Sequence, residues 1–68
     1  MDLEAELWHG LGFNQLRRGE LAPAAANFRR ALAVRDDYPE AWNRLGVALA
    51  RGESLEEARA RARLTSQL

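Results

Sequence analysis

A repeat of 34 residues, written twice in a chain of 68, constrains the fold more than any other feature of the sequence. The segment WHGLG at residues 8–12 returns as WNRLG at residues 42–46, so Trp, Leu and Gly keep their spacing while two positions change. Self-similarity at a period of this length is typical of proteins built from stacked units, each of which covers its neighbour. The identical pairs are Asp2/Asp36, Glu6/Glu40, Trp8/Trp42, Leu11/Leu45, Gly12/Gly46, Arg17/Arg51, Leu21/Leu55, Ala24/Ala58, Ala26/Ala60 and Arg29/Arg63.

Length and composition limit the class of protein. A chain of this size forms one small domain and buries only about 60% of the surface that it exposes when unfolded. Cysteine is absent, which excludes disulfides and thiolate metal sites, and ten arginines balance ten acidic residues, so the net charge favours neither nucleic acid nor anionic membranes. The acidic first residues differ from a secretion signal, and no apolar run approaches the roughly 20 residues that span a bilayer. We therefore expect a soluble, cytoplasmic protein.

The spacing of apolar residues and helix breakers predicts four helices, near residues 3–18, 21–35, 39–51 and 54–67. Gly19 ends the first, and Pro23 is acceptable in the first turn of the second. Pro39 stands at the start of the third helix. Ser54, followed three residues later by Glu57, forms a capping box that predicts the start of the fourth.

These motifs resemble the tetratricopeptide repeat family. The resemblance implies an all-α fold in which four antiparallel helices form two stacked helix-turn-helix units, a short right-handed solenoid. It covers a single domain, residues 1–68, with repeat one at 5–38, repeat two at 39–68 and no separate capping helix. The residues in signature places are Trp8, Leu11, Gly12, Gly19, Leu21, Ala24, Phe28 and Ala31 in repeat one, and Trp42, Leu45, Gly46, Leu55 and Ala58 in repeat two.

The residues that recur in both repeats predict close packing between helices. Gly12 and Gly46 lack side chains where paired helices have to come close, and Ala24 and Ala58 are their small partners on the second helix of each unit. Large aromatic side chains fill the remaining space, namely Trp8, Trp42 and Phe28. We therefore expect replacement of either tryptophan by alanine to cost about 3–5 kcal/mol of stability.

No constellation of residues points to an enzyme, a cofactor or a metal. His9 is the single histidine, and it stands one turn from Glu6, an arrangement that is usually a solvated surface pair. The basic segment near the end also fails as a nucleic-acid site, because Arg59 and Arg61 point in different directions and Glu56 and Glu57 offset their charge.

The family resemblance implies a ligand surface on the first helix of each unit, in the concave groove. The groove residues are Glu6, His9, Phe13, Leu16 and Arg17 in repeat one, and Glu40, Asn43, Val47 and Arg51 in repeat two. An apolar floor beside an arginine rim suits a protein or peptide partner, either an amphipathic helix or an extended peptide with an acidic group. Equally, Phe13, Leu16 and Val47 could cover a neighbouring repeat or subunit.

Self-association is the alternative to a peptide ligand. Arrays of this kind usually need three or more units, and this chain has two. Its last helix carries a stripe at i, i+4 and i+8, made by Ala60, Leu64 and Leu68. The sequence therefore predicts a homodimer through the terminal helices. The two readings of function are a scaffold that binds a peptide, and a self-assembling element or fragment of a longer array with no peptide ligand.

Overall fold

The computed structural model describes residues 3–66, and the side chains of residues 3–64, as an all-α arrangement of three helices. Helix α1 is Leu3–Arg17, α2 is Leu21–Val34 and α3 is Pro39–Ser66. A short turn joins α1 to α2 in a helical hairpin, and the first half of α3 packs against α2. Within the described residues, no helix combines the length and the apolar character needed to cross a lipid bilayer.

The turn after α1 depends on Gly19. Its φ of 80° lies in the left-handed region that glycine reaches without a steric penalty. The Gly19 amide donates to the carbonyl of Leu16, and the Glu20 amide donates to the carbonyl of Gln15 at 2.9 Å. These two hydrogen bonds form a Schellman motif, which satisfies the last carbonyls of α1 and reverses the chain into α2.

The contact between α1 and α2 is closest at Gly12. A Cβ atom placed there would lie 2.8 Å from Cε1 of Phe28 and 3.1 Å from the carbonyl oxygen of Ala24. Phe28 is fully buried, so its ring has no space to move aside. The close approach predicted from Gly12 and Ala24 is therefore confirmed.

A polar link crosses the same pair of helices. The side-chain amide of the buried Asn27 donates to Oε1 of Gln15 at 2.6 Å, and Arg30 donates to Oδ1 of Asn27 at 3.1 Å. Arg30 also lies over the ring of the half-buried Trp8, 5.0 Å from its centroid. Since a buried amide without partners would destabilise the fold, these hydrogen bonds make Asn27 compatible with an apolar core.

The core continues from α2 into the first half of α3. Ala41, Leu45 and Ala48 recur at helical spacing and are buried. Tyr38, just before α3, is also buried, and its carbonyl accepts a hydrogen bond from the amide of Trp42. The other buried apolar residues are Ala5, Leu16, Ala24, Ala25, Phe28, Ala31 and Leu32.

The predicted third and fourth helices are one continuous helix, so the four-helix solenoid of two helix-turn-helix units is wrong. The turn that reverses the chain after α1 has no counterpart here, because the residue 34 positions after Gly19 is Glu53. A glutamate adopts a left-handed φ only at a steric cost. Pro23 is likewise replaced by Glu57. The capping box at Ser54 therefore lies inside α3, and no helix begins there.

The packing that a fourth helix would need is also missing. The counterpart of Phe28 is Ala62, and the counterpart of the buried Ala25 is Arg59. No described atom outside its own helical surroundings comes within 4 Å of a Cβ built at Gly46, and Ala58 is exposed. The close contact predicted at Gly46 and Ala58 is therefore wrong.

Trp42 is not a core side chain, although Trp8 packs against the core as a half-buried residue. The side chain of Trp42 is 52% exposed, and its Nε1–H donates to the carbonyl of Asp36 at 2.9 Å. The prediction that Trp42 fills the space between helices is wrong, because the helix that would cover it continues away from the hairpin. The molecule is accordingly elongated, 56 × 18 × 14 Å.

The two repeated glycines provide a matched test of this fold. We expect Gly12→Ala to lower the free energy of unfolding by about 1–2 kcal/mol, because overpacking against Phe28 outweighs the gain in helix propensity. Gly46→Ala should raise it by about 1 kcal/mol, since open space surrounds that position in the described structure. Urea unfolding followed by circular dichroism measures both. Equal losses at the two positions would show that Gly46 is also packed against a helix.

Candidate functional site

The candidate site is the surface where α1 and the first half of α3 meet. Its central residues are His9, Phe13 and Arg17 from α1, and Glu40 and Arg44 from α3, and we call it the α1–α3 face. Helices α1 and α3 run in the same direction, because each is antiparallel to α2. The acidic residues Glu6 and Glu40 therefore lie toward one end of the face, and the basic residues Arg17 and Arg51 toward the other.

Arg44 links the two helices. Its Nη1 lies 2.7 Å from Nε2 of His9, and 4.0 Å from Oε2 of Glu40 one helical turn earlier. Arginine only donates hydrogen bonds, so Nε2 of His9 is the acceptor and the imidazole is neutral, with its proton on Nδ1. The ion pair with Glu40 is long and mainly exposed on the carboxylate side, so it adds little stability.

His9 belongs to the core rather than to the surface. Its side chain is 9% exposed, and its ring centroid lies 4.9 Å from that of Tyr38 and 5.8 Å from that of Phe28. Burial lowers the pKa of His9 from its ordinary value of 6.5, and the positive charge of Arg44 lowers it further, against an opposing effect of Glu40. The neutral form is therefore the one that this environment favours.

Two cationic groups lie over the ring of Phe13. The guanidinium carbon of Arg44 is 4.2 Å from the centroid of its ring, and that of Arg17 is 5.8 Å away. The ring is half-buried, Arg17 is exposed, and Arg44 is partly exposed. Cations near an aromatic face are stabilised by the ring quadrupole, so Phe13 holds both guanidiniums at the surface. The arrangement offers N–H donors to an anion beside an apolar ring.

The structure distributes the predicted groove residues over three environments. Those that are exposed are Glu6, Arg17, Glu40, Asn43 and Arg51. Phe13 and Val47 are half-buried, and Val47 packs against the core. His9 and Leu16 are buried. The α1–α3 face thus brings together Phe13, Arg17 and Glu40 around Arg44, while the role of these residues in binding remains a prediction.

Two residues of the α1–α3 face were missed by the sequence analysis. Arg44 corresponds to Gly10 in the first repeat, so comparison of the two halves gave it no weight. Its spacing of four residues from Glu40 was the available signal, because such pairs share one side of a helix. Tyr38 stands in the connection before Pro39 and carried no signal of burial, yet it contacts His9 and lies 4.1 Å below the guanidinium carbon of Arg35.

Two of the three residues predicted for self-association lie on the second half of α3. Ala60 is exposed, and Leu64 is 66% exposed. Leu68 lies outside the described residues. The self-association site therefore stays a prediction, with two of its three residues placed on an uncovered helix.

Comparisons with known proteins assign the chain to no family. No family model matches the chain, no curated protein matches it, and no solved structure matches it. The resemblance to tetratricopeptide repeats therefore rests on the sequence motifs alone. Among the residues that the structure describes, no group of three or more histidine, aspartate or glutamate side chains could hold a metal ion.

The lowered pKa of His9 predicts how stability depends on pH. Because the unfolded chain takes up the proton more readily than the folded one, stability is full above the ordinary pKa of 6.5 and falls as pH drops below it. The urea concentration needed for unfolding should therefore fall as the pH is lowered from about 7.5 to about 5.5, an interval in which most carboxylates remain ionised. Proton NMR can follow the titration directly, since the chain has a single histidine.

The matched control for this prediction is His9→Gln. The glutamine amide oxygen can still accept a hydrogen bond from Arg44, but the side chain does not titrate. Its stability should change much less across the same interval. An equal loss of stability in the two proteins would assign the pH dependence to another group.

Proposed function

We propose that the chain is a protein-interaction module that binds a peptide or helix carrying an acidic group on the α1–α3 face. The observation that carries the proposal is the half-buried ring of Phe13, with the guanidiniums of Arg44 and Arg17 over it. An aromatic ring beside cationic donors combines apolar contact with recognition of a carboxylate. The proposed activity is binding alone, with no cofactor, nucleic acid or membrane.

The guanidinium groups have the chemistry that carboxylate recognition needs. Arginine presents five N–H donors in a planar fork that matches the two oxygens of a carboxylate. Arg44 uses one of its terminal nitrogens in its short contact with His9, so its side chain retains donors for a ligand. Arg17 is exposed and keeps its guanidinium near Phe13 through the ring contact.

The order of charges along the face favours one orientation of the ligand. Arg44 and Arg51 are seven residues apart on α3, about two helical turns or 10 Å. The α1–α3 face therefore becomes more basic from Glu6 and Glu40 toward Arg17 and Arg51. A ligand should place its acidic group near the basic end and an apolar side chain over Phe13 or Val47.

The test is binding of a labelled, N-acetylated peptide in which leucine and glutamate recur at helical spacing, followed by fluorescence anisotropy. Phe13→Ala should weaken binding by about 2 kcal/mol, roughly 30-fold, because aromatic anchors carry much of the affinity at such surfaces. Arg17→Glu and Arg51→Glu should each weaken it, and the losses should shrink as salt is added.

The control for charge is Arg29→Glu, which makes the same change at an exposed position on α2. It should leave the affinity unchanged, and replacement of glutamate by glutamine in the peptide should weaken binding less for a variant that lacks Arg17 and Arg51 than for the native chain. Circular dichroism checks that each variant stays folded. If Phe13→Ala unfolds the protein while the arginine variants bind the peptide normally, the α1–α3 face is an internal contact and the proposal fails.

A further inference from the structure

The second half of α3 is exposed to solvent over the residues whose side chains are described. Every residue from 53 to 64 is exposed, and we call this segment the α3 extension. Short helices are marginal in water unless packing stabilises them, and Gly52 at the start of the segment is a poor helix former. An ion pair within it joins Glu56 to Arg59 at 3.6 Å on a solvent-exposed surface, where such pairs contribute little. A helix of this kind is stabilised most by packing against another surface.

A matching surface lies at the base of the α3 extension, between α2 and α3. Leu21, Ala22 and Ala25 line it from α2, and Ala48 and Leu49 line it from α3. The cleft has a volume of about 540 Å³. We call it the α2–α3 cleft. Its walls are mainly apolar and small, so a helix can approach closely, and Leu49 within it is 41% exposed.

The rim of the α2–α3 cleft is acidic, and the far end of the α3 extension is basic. Glu53, Glu56 and Glu57 border the cleft. The extension carries arginines at positions 59, 61 and 63, beside the exposed Leu64. These two charge patterns are complementary. They belong to one helix, however, so an unbroken α3 cannot place its own basic end in its own cleft.

We propose that two copies of the chain exchange their α3 extensions, so that the extensions pack side by side and Leu64 of each copy lies at the mouth of the α2–α3 cleft of the other. The two α3 helices then cross antiparallel about a two-fold axis, the commonest symmetry of protein dimers. With the two-fold axis level with residue 58, Glu53 of one copy lies level with Arg63 of the second, and Gly52 lies level with Leu64. The absence of a side chain at Gly52, where nothing lies within 4 Å of a built Cβ, gives that leucine room.

This arrangement accounts for exposed apolar residues that the isolated chain leaves uncovered. Leu49 and Leu64 are each more than 40% exposed. Leu49 lines the cleft, and Leu64 is the residue that the exchange brings to its mouth. The α1–α3 face is on a different side of α3, so this dimer and the proposed peptide binding are separate properties of the chain.

The first experiment is sedimentation equilibrium of the full chain across a range of micromolar concentrations. We expect a reversible dimer, weakened at least tenfold by Leu64→Glu, because a buried charge would replace an apolar contact. Leu7→Glu is the control, since Leu7 is 68% exposed on α1, away from the cleft. A native chain that stays monomeric overturns the proposal. A dimer that Leu7→Glu dissociates as strongly overturns it as well.

A disulfide test distinguishes exchange from folding back within one chain. The chain has no cysteine, so Ala22→Cys with Leu64→Cys places one cysteine at the cleft and one on the extension. Exchange predicts that oxidation of the dimer links two chains, which non-reducing electrophoresis detects. A disulfide within one chain at every concentration would show that the extension occupies its own cleft, and would overturn the exchange.

Reversal of charge tests the acidic rim. Glu53→Arg with Glu57→Arg should weaken the dimer severalfold, because like charges then meet across the two copies. Adding Arg59→Glu and Arg63→Glu to the same chain should restore the affinity. No change after the first pair of substitutions would overturn the proposed role of the rim, and with it the antiparallel alignment.

Discussion

The contact between Gly12 and Phe28 is the constraint on which the rest of the structure depends. Phe28 is the one large side chain among the described residues that is fully buried, and the core around it consists largely of alanines. Small residues bring helices close together but bury little surface each, so much of the apolar stabilisation is concentrated at this ring. The same ring lies behind His9, and through His9 the hairpin contacts Arg44 of α3.

The local structure could be predicted well, because it depends on short-range signals. Gly19, Pro23 and Pro39 marked the ends of the first two helices and the start of the third within one residue. The error came from giving both halves of the repeat the same weight. Ten identities preserve the frame, but the reversal of the chain depends on the residues that differ. Glu53 replaces the glycine of the turn, and Ala62 replaces the aromatic ring, so α3 continues as one helix.

The candidate site was predictable only where its residues are neighbours on one helix. Phe13 and Arg17 are one turn apart, and the sequence placed them side by side. Arg44 lies beside them although it is 35 residues after His9 in the sequence. Its contact with His9 depends on how α3 crosses the hairpin. The burial of His9 depends in turn on Tyr38 and Phe28, which come from two other segments. Such contacts follow from tertiary packing, which the helical periodicity of the sequence does not predict.

An unbroken α3 also explains why two separate surfaces, the α1–α3 face and the α2–α3 cleft, are open in one chain. Had the chain turned back after Gly52, the last helix would have covered the α2–α3 cleft, and only the α1–α3 face would remain. Because Glu53 continues the helix, the cleft stays open and the segment suited to fill it extends away from the same molecule. In the proposed dimer, an internal packing contact is thus replaced by a contact between copies. The opposite side of α3, where Arg44 contacts His9 and Phe13, is unaffected by that change, since its contacts are complete before residue 52 is reached.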